Sequence, residues 1–155
     1  MWVPKLSAGL LLYRSGTDGV EVLIAHPGGP FWARKDEHAW SIPKGEYESG
    51  DDPWLTALRE FGEELGLEPP EGPRLELGEV RQSGGKVVTV FAVAAGLDLT
   101  DTRSNTFEME WPPRSGRMQE FPEVDRVAWV SVGTARVKLL KGQLPILERL
   151  LAALG

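Results

Sequence analysis

The segment between Asp52 and Gly66 carries a complete set of local signals for one amphipathic helix. Asp52 is a residue type that caps helix N-termini, and Pro53 suits the first helical position. Gly66 suits the left-handed conformation that ends a helix. At about 100° per residue, the large apolar side chains share one face, and they are Trp54, Leu55, Leu58, Phe61 and Leu65. The pattern predicts a helix over residues 53–65 that packs this face on a core.

The opposite face of the predicted helix carries three glutamates, Glu60, Glu63 and Glu64. Like charges three and four residues apart on a helix repel, whereas Arg59 is placed four residues before Glu63 to hold a carboxylate. One interpretation is a solvated acidic face. The other is a divalent cation that compensates the charges, and a site with only oxygen ligands favours Mg²⁺ or Mn²⁺.

Apolar alternation and glycine-containing turns predict a series of strands around this helix. The predicted strands are residues 6–13, 20–25, 39–43, 74–82, 86–95, 105–110 and 126–132, and further helices are predicted at 133–140 and 143–154. Residues 111–124 are predicted to form a long loop. Strands and helices interleave without repeats or linkers, so we expect a single α/β domain over residues 1–155, with a mixed β-sheet packed between helices.

The composition excludes several classes of function. The chain has no cysteine, which excludes disulfides, thiolate nucleophiles and sulfur-ligated metals. Its net charge of −6 argues against nucleic acid as a partner, because such binding needs a basic face. No apolar run approaches the roughly 20 residues of a membrane helix, and no secretion signal is evident. We therefore expect a cytoplasmic protein without a membrane partner, and its oligomeric state stays open, a homodimer included.

Residues 45–67 resemble the Nudix box. The pattern of that box is a glycine, five residues, a glutamate, seven residues and then R-E-U-x-E-E-x-G-U, where U is a bulky apolar residue. Gly45 opens the match, the segment REFGEELGL completes it, and Asp51 stands in place of the first glutamate. The resemblance implies a Nudix-like α/β/α sandwich, a loop–helix–loop that binds divalent metal, and hydrolysis of a diphosphate linked to another moiety.

The resemblance also implies roles for the residues of the box. The implied ligands of Mg²⁺ or Mn²⁺ are Glu60, Glu63, Glu64 and the carbonyl group of Lys44. Arg59 would orient this cluster, and one of its glutamates, or a carboxylate elsewhere, would activate water. The family often adds an acidic residue from outside the box. Glu120 is the first candidate for that residue, and the alternatives are Glu108, Glu110 and Glu123.

Substrate recognition is expected from residues outside the box as well as from Lys44. The predicted substrate-binding residues are Trp32, Arg34, Lys35, Lys44, Arg81, Arg114 and Arg117. Lys86 is a further basic residue beside a predicted loop, and Trp40, Phe107 and Trp111 are further aromatic candidates for stacking on a base. The segments 31–40 and 111–121 are predicted to line the pocket, although packing or solvated charge is the alternative for each residue. His26 and His38 show no ligand spacing and receive no role.

Two functions follow from the resemblance. The first is a metal-dependent pyrophosphohydrolase acting on a nucleoside triphosphate, a dinucleoside polyphosphate, a nucleotide sugar or a diphosphoinositol phosphate. The second is a catalytically inactive module that senses a nucleotide. Such a module would be expected to lose box glutamates or to carry a DNA-binding segment, and the sequence shows neither. Isoprenoid diphosphate isomerase chemistry is set aside, because it generally uses a catalytic cysteine.

Overall fold

The computed structural model describes residues 4–155, which form eight strands, three helices and two short 3₁₀ turns. The strands are β1 (Lys5–Gly16), β2 (Gly19–Pro27), β3 (Lys44–Tyr47), β4 (Arg74–Gln82), β5 (Lys86–Ala94), β6 (Thr106–Glu110), β7 (Met118–Pro122) and β8 (Val124–Ser131). The helices are α1 (Pro53–Leu65), α2 (Val132–Lys138) and α3 (Leu144–Leu154), and the 3₁₀ turns are Ser83–Gly85 and Lys141–Gln143. The first three residues of the predicted domain lie outside the described residues.

A mixed sheet of six strands forms the centre of the described chain. Its main row has the order β4-β5-β1-β2-β8, and β3 pairs with β1 beside this row. Strands β1 and β5 run parallel, and the other pairs are antiparallel. Strands β6 and β7 form a separate antiparallel hairpin. The mixed sheet confirms the predicted fold class.

The two faces of the sheet bury separate apolar clusters, because successive side chains of a strand point to opposite faces. Leu10 and Leu12 of β1 belong to the cluster under α1, and Leu11 belongs to the cluster on the other face. In the first cluster, the α1 side chains Phe61 and Leu65 are completely buried. The other face buries side chains of α2 and α3, namely Ala135, Ile146, Leu147 and Leu150. Within residues 4–155, no helix has the length and apolar character needed to cross a bilayer.

Helix α1 begins and ends at the predicted residues. The Asp52 side chain accepts a hydrogen bond of 2.8 Å from the Trp54 N–H, which satisfies one free donor of the first turn. Gly66 adopts the left-handed conformation with φ 70°, and its N–H donates to the Gly62 carbonyl oxygen at 2.8 Å. Local chemistry therefore fixes both ends of the helix that carries the acidic residues.

Two other predicted segments differ from the structure. Residues 39–43 form isolated bridges, including one between Ala25 and Ser41, and the regular ladder begins only at Lys44. Pro43 has no N–H to donate, which explains the late start. The predicted loop over 111–124 contains β7, which pairs with β6. The sequence of β7, MQEFP, lacks the apolar alternation that predicts a strand, because most of its residues are exposed and need not be apolar.

We predict a large difference between two apolar truncations in α1. Phe61 is completely buried, whereas Leu55, predicted from its spacing to face the core, is 61% exposed. Phe61→Ala should lower the free energy of unfolding by about 3–5 kcal/mol, because it leaves a cavity in the core. Leu55→Ala, the matched control, should change it by less than about 0.5 kcal/mol. Urea denaturation of both variants measures the difference, and equal losses would contradict the orientation of α1.

Candidate active site

The glycine that opens the box lies directly against the acidic face of α1. A Cβ atom at Gly45 would overlap the carboxyl group of Glu60. Beside it, the backbone N–H of Lys44 donates to Glu64 Oε2 at 3.3 Å. Only a residue without a side chain lets β3 approach the helix this closely, which gives the glycine of the box a physical reason.

The two glutamates that face β3 resist ionisation. Burial, and then the charge of Glu60, raise the pKa of Glu64 from 4.5 to about 8. Burial, and then the charge of Glu63, raise the pKa of Glu60, while the guanidinium group of Arg59 opposes this shift. Arg59 Nη2 lies 3.4 Å from Glu60 Oε1, and Arg59 Nε lies 3.9 Å from Glu63 Oε1. A cation held between these carboxylates would favour their charged forms.

Glu123 is a fourth carboxylate at this site. It lies between β7 and β8, and its backbone is held on both sides. The Gly28 N–H donates to the Glu123 carbonyl oxygen at 2.9 Å, and the Glu123 N–H donates to the Asn105 carbonyl oxygen at 2.8 Å. Burial, and then the charge of Glu63, raise the pKa of Glu123. Glu123 lines the same cavity as Glu60 and Glu64, which Glu63 does not line.

Glu120, the first candidate from the sequence for the acid outside the box, lies elsewhere. It is exposed on β7, directly opposite Glu108 on β6. Glu110 is also exposed, and its carboxylate accepts a hydrogen bond of 2.7 Å from the Arg114 N–H. None of these three glutamates lines the cavity. Glu123 therefore replaces Glu120 as the candidate, because the link between β7 and β8 brings Glu123 to α1.

Three lysines share a cavity of ≈ 520 Å³ with the carboxylates of Glu60, Glu64 and Glu123, and they are Lys5, Lys44 and Lys86. Lys5 and Lys86 are direct neighbours in the parallel pairing of β1 with β5. Burial lowers the pKa of Lys44, and the charge of Lys86 adds to this shift while Glu64 opposes it. The cavity thus has an acidic wall from α1 and a basic wall from the sheet, where Glu46 also lies, with its Oε1 3.9 Å from Lys5 Nζ. Lys5 was missed from the sequence, because its place beside Lys86 depends on a pairing of strands about 80 residues apart.

A second cavity of ≈ 200 Å³ adjoins the first and shares Lys44, Glu64 and Glu123 with it. Trp32, a predicted substrate-binding residue, lines this cavity, together with Ala25 and other small or apolar residues of the sheet and loops. Such an apolar space beside the charged cavity has room for part of a substrate that is not phosphate.

Several predicted substrate-binding residues do not reach these cavities. Arg34, Arg81, Arg114 and Arg117 are exposed, and they line neither cavity. The Lys35 Nζ lies 5.1 Å from the centre of the Trp32 ring. The segment 31–40 contributes Trp32 and Ala39 to the second cavity, and the segment 111–121 contributes no residue to either.

The residues fit a divalent metal ion by the chemistry of their donors. The side chains of Glu60, Glu63, Glu64 and Glu123 and the Lys44 carbonyl group offer only oxygen, which suits Mg²⁺ or Mn²⁺. As these side chains lie, no three acidic or histidine groups of residues 4–155 are close enough together to hold an ion. Asp51 lines neither cavity, and its Oδ2 accepts a hydrogen bond of 3.2 Å from the Glu48 N–H in the turn before α1.

Comparison with known families identifies the chain. The family model described as NUDIX domain matches residues 3–152. The chain belongs to the NUDIX family. This confirms the family predicted from the box, and it supports the predicted class of enzyme, a hydrolase of pyrophosphate bonds.

Two curated relatives carry the name RNA pyrophosphohydrolase. The protein from Rhodospirillum rubrum is 30% identical to this chain, and the alignment covers 98% of this chain and 93% of the relative. The protein from Pseudoalteromonas translucida is 39% identical over 51 residues, which are 32% of this chain. The chain thus matches 30% of the length of that second relative.

A solved structure supports the fold. The NUDIX domain of Shewanella oneidensis NrtR, complexed with ADP ribose, superposes on this chain with a TM-score of 0.69. The match covers 100% of this chain and 91% of the other, at 16% sequence identity. At this identity the likeness extends to the α/β/α architecture, and it confirms that architecture.

We predict that the stability of the metal-free protein falls as the pH rises from 4.5 to 8. The pKa of Glu64 is raised in the folded state, so the Glu64 carboxyl group loses its proton at a lower pH in the unfolded chain than in the folded protein. Over this pH range the unfolded state is therefore stabilised relative to the folded state. Each pH unit contributes about 1.36 kcal/mol, so the loss reaches about 4 kcal/mol at pH 8. Thermal unfolding at several pH values, with a chelator present, measures this loss of stability. Glu64→Gln should remove most of the pH dependence.

The matched control for this pH dependence is Glu68→Gln. Glu68 is an exposed glutamate just after the same helix. The variant should keep the pH dependence of the parent protein. An unchanged pH dependence in Glu64→Gln would contradict the assignment of the shift to Glu64.

Proposed function

We propose that the protein is a divalent-metal-dependent pyrophosphohydrolase that cleaves a nucleoside diphosphate linked to another moiety by attack of water on phosphorus. One observation carries the proposal: a single cavity is lined by Glu60, Glu64 and Glu123 together with Lys5, Lys44 and Lys86. Carboxylates alone would repel an anionic substrate, and lysines alone would not hold a metal ion. Their combination suits a polyphosphate that binds together with a cation.

The residues of the chain take distinct parts in the proposed reaction. Glu60, Glu63, Glu64 and the Lys44 carbonyl group would hold Mg²⁺ or Mn²⁺, which lowers the pKa of water and offsets charge on the phosphate when bound. Arg59 orients Glu60 and Glu63. One of these glutamates or Glu123 would accept the proton of the attacking water. The ammonium group of Lys44 pairs with phosphate oxygens.

The substrate that fits best has more phosphate than the cleaved linkage itself. The basic wall offers three ammonium groups. Lys5 and Lys86 are exposed, so their ammonium groups could contact phosphates beyond the pair that is cleaved. The apolar cavity beside Trp32 would take the base. We therefore favour a nucleoside triphosphate or a dinucleoside polyphosphate. A nucleotide at the end of RNA, the substrate that the names of the relatives indicate, belongs in the same test.

We predict metal-dependent turnover that requires the box glutamates. Purified protein should release phosphate or nucleotide from at least one of ATP, diadenosine tetraphosphate, ADP-ribose and a 5′-triphosphorylated oligonucleotide when Mg²⁺ or Mn²⁺ is present. Replacing Glu63 and Glu64 by glutamine should lower kcat by about 10²-fold or more, because charge is lost with little change in shape. Chromatographic detection of products measures turnover, and calorimetry measures the uptake of metal.

Glu68→Gln is the matched control, and it should keep full turnover. Turnover that survives the double replacement would contradict the assigned site. If the intact protein cleaves no compound of the panel but binds one of them, the chain is a nucleotide-binding module, the alternative function.

We predict that the two outer lysines distinguish long from short phosphate chains. Lys5→Gln and Lys86→Gln should each raise the KM for triphosphate or tetraphosphate substrates by about fivefold, since an exposed ion pair contributes up to about 1 kcal/mol. The KM for a diphosphate such as ADP-ribose should change less. Lys141→Gln removes an exposed lysine outside both cavities and should leave each KM unchanged. Equal effects on long and short substrates would contradict the role.

A further inference from the structure

His26 is completely buried and holds two segments of the site together. Its Nδ1 lies 2.7 Å from Asp125 Oδ1, and its Nε2 lies 2.6 Å from the Lys35 carbonyl oxygen. Each ring nitrogen therefore has its own partner, one a side chain of β8 and the other the backbone of the loop of residues 28–38.

The contact with Asp125 depends on an irregularity of the sheet. In the pairing of β2 with β8, His26 is opposite Arg126 and Pro27 is opposite Val124, so Asp125 has no partner in the ladder. A residue left over in this way forms a β-bulge, which turns its side chain and bends the strand. The bulge turns the Asp125 side chain towards His26.

The two contacts of His26 lead to different parts of the site. Lys35 lies in the loop of residues 28–38, three residues after Trp32, which lines the apolar cavity. Asp125 lies in β8, two residues after Glu123, which lines both cavities. One buried ring thus joins the loop that would hold the base to the segment that carries the carboxylate outside the box.

The 28–38 loop has a second anchor that does not involve His26. Both carboxylate oxygens of Asp36 accept from Lys138 Nζ at 2.8 Å, and Trp40 Nε1 donates to Asp36 Oδ1 at 2.8 Å. These contacts fix the far end of the loop to α2. Loss of the bond from His26 to Lys35 would therefore loosen the Trp32 side of the loop without detaching the loop.

We propose that His26 is a positioning residue that sets the Trp32 side of the loop through Lys35 and the Glu123 segment through Asp125. The inference rests on the proposed pyrophosphohydrolase activity and adds a residue to it. The bond to Lys35 acts on substrate binding, whereas the bond to Asp125 acts on the reaction step. The two effects are separable, because a different ring nitrogen makes each contact.

Two amide substitutions test this separation. The side-chain nitrogen of His26→Asn can take the place of Nδ1, so this variant keeps a donor to Asp125 and loses the bond to Lys35. The nitrogen of His26→Gln can take the place of Nε2, so this variant keeps a donor to Lys35 and loses the bond to Asp125. With the best substrate of the panel, His26→Asn should raise KM about tenfold at nearly constant kcat, and His26→Gln should lower kcat about tenfold at nearly constant KM.

The matched control is His38→Asn. His38 Nδ1 also faces a backbone carbonyl oxygen, that of Leu139 at 2.8 Å, but His38 lines neither cavity. Its φ of 52° is tolerated by asparagine. The control should keep both kinetic constants of the parent protein. Asp125→Asn, which keeps an acceptor for His26, should retain more activity than Asp125→Ala.

Thermal unfolding of each variant shows whether it remains folded at the assay temperature. Parallel changes of kcat and KM in the two His26 variants, or no change in either, would overturn the proposal. The contacts of the ring are tested separately by ¹⁵N NMR of the intact protein, which should show both ring nitrogens of His26 in hydrogen bonds. A ring nitrogen without a hydrogen bond overturns the proposal even if turnover is normal, whereas absence of turnover with both hydrogen bonds present contradicts the proposed function alone.

Discussion

The close contact between Gly45 and Glu60 is the constraint on which the site depends. It brings β3 against the acidic face of α1, so that the Lys44 N–H reaches Glu64 and the carboxylates lie at the edge of the sheet. Burial of Phe61 and Leu65 stabilises this arrangement from the opposite face of the helix. The hydrophobic core therefore holds together charges that would otherwise separate.

Charge balance within the cavity explains why the site contains both acids and lysines. The chain has a net charge of −6, and its carboxylates would repel the polyphosphate of the proposed reaction. Lys44, Lys5 and Lys86 offset this repulsion locally. In the absence of a cation, burial and mutual repulsion keep the pKa of Glu60, Glu64 and Glu123 raised. The same groups that suit a metal ion thus destabilise the protein when they are charged without one.

The parts of the structure that local chemistry determines could be predicted from the sequence. Helix α1 has the predicted ends because Asp52, Pro53 and Gly66 act on their own neighbours. The choice between Glu120 and Glu123 could not be predicted, because it depends on the hairpin of β6 and β7 and on hydrogen bonds to Gly28 and Asn105. The contacts of Lys5 and His26 could not be predicted for the same reason, since they join segments that are far apart in sequence.

Two kinds of interaction hold the two parts of the site, α1 and the 28–38 loop. Apolar burial is non-directional and holds the helix that carries the box, so it tolerates small shifts of the surrounding loops. The 28–38 loop is held by polar contacts from His26 and Asp36, and hydrogen bonds lose strength steeply when their geometry changes. Substitutions near the loop should therefore shift Trp32 and the apolar cavity before they shift the carboxylates of α1.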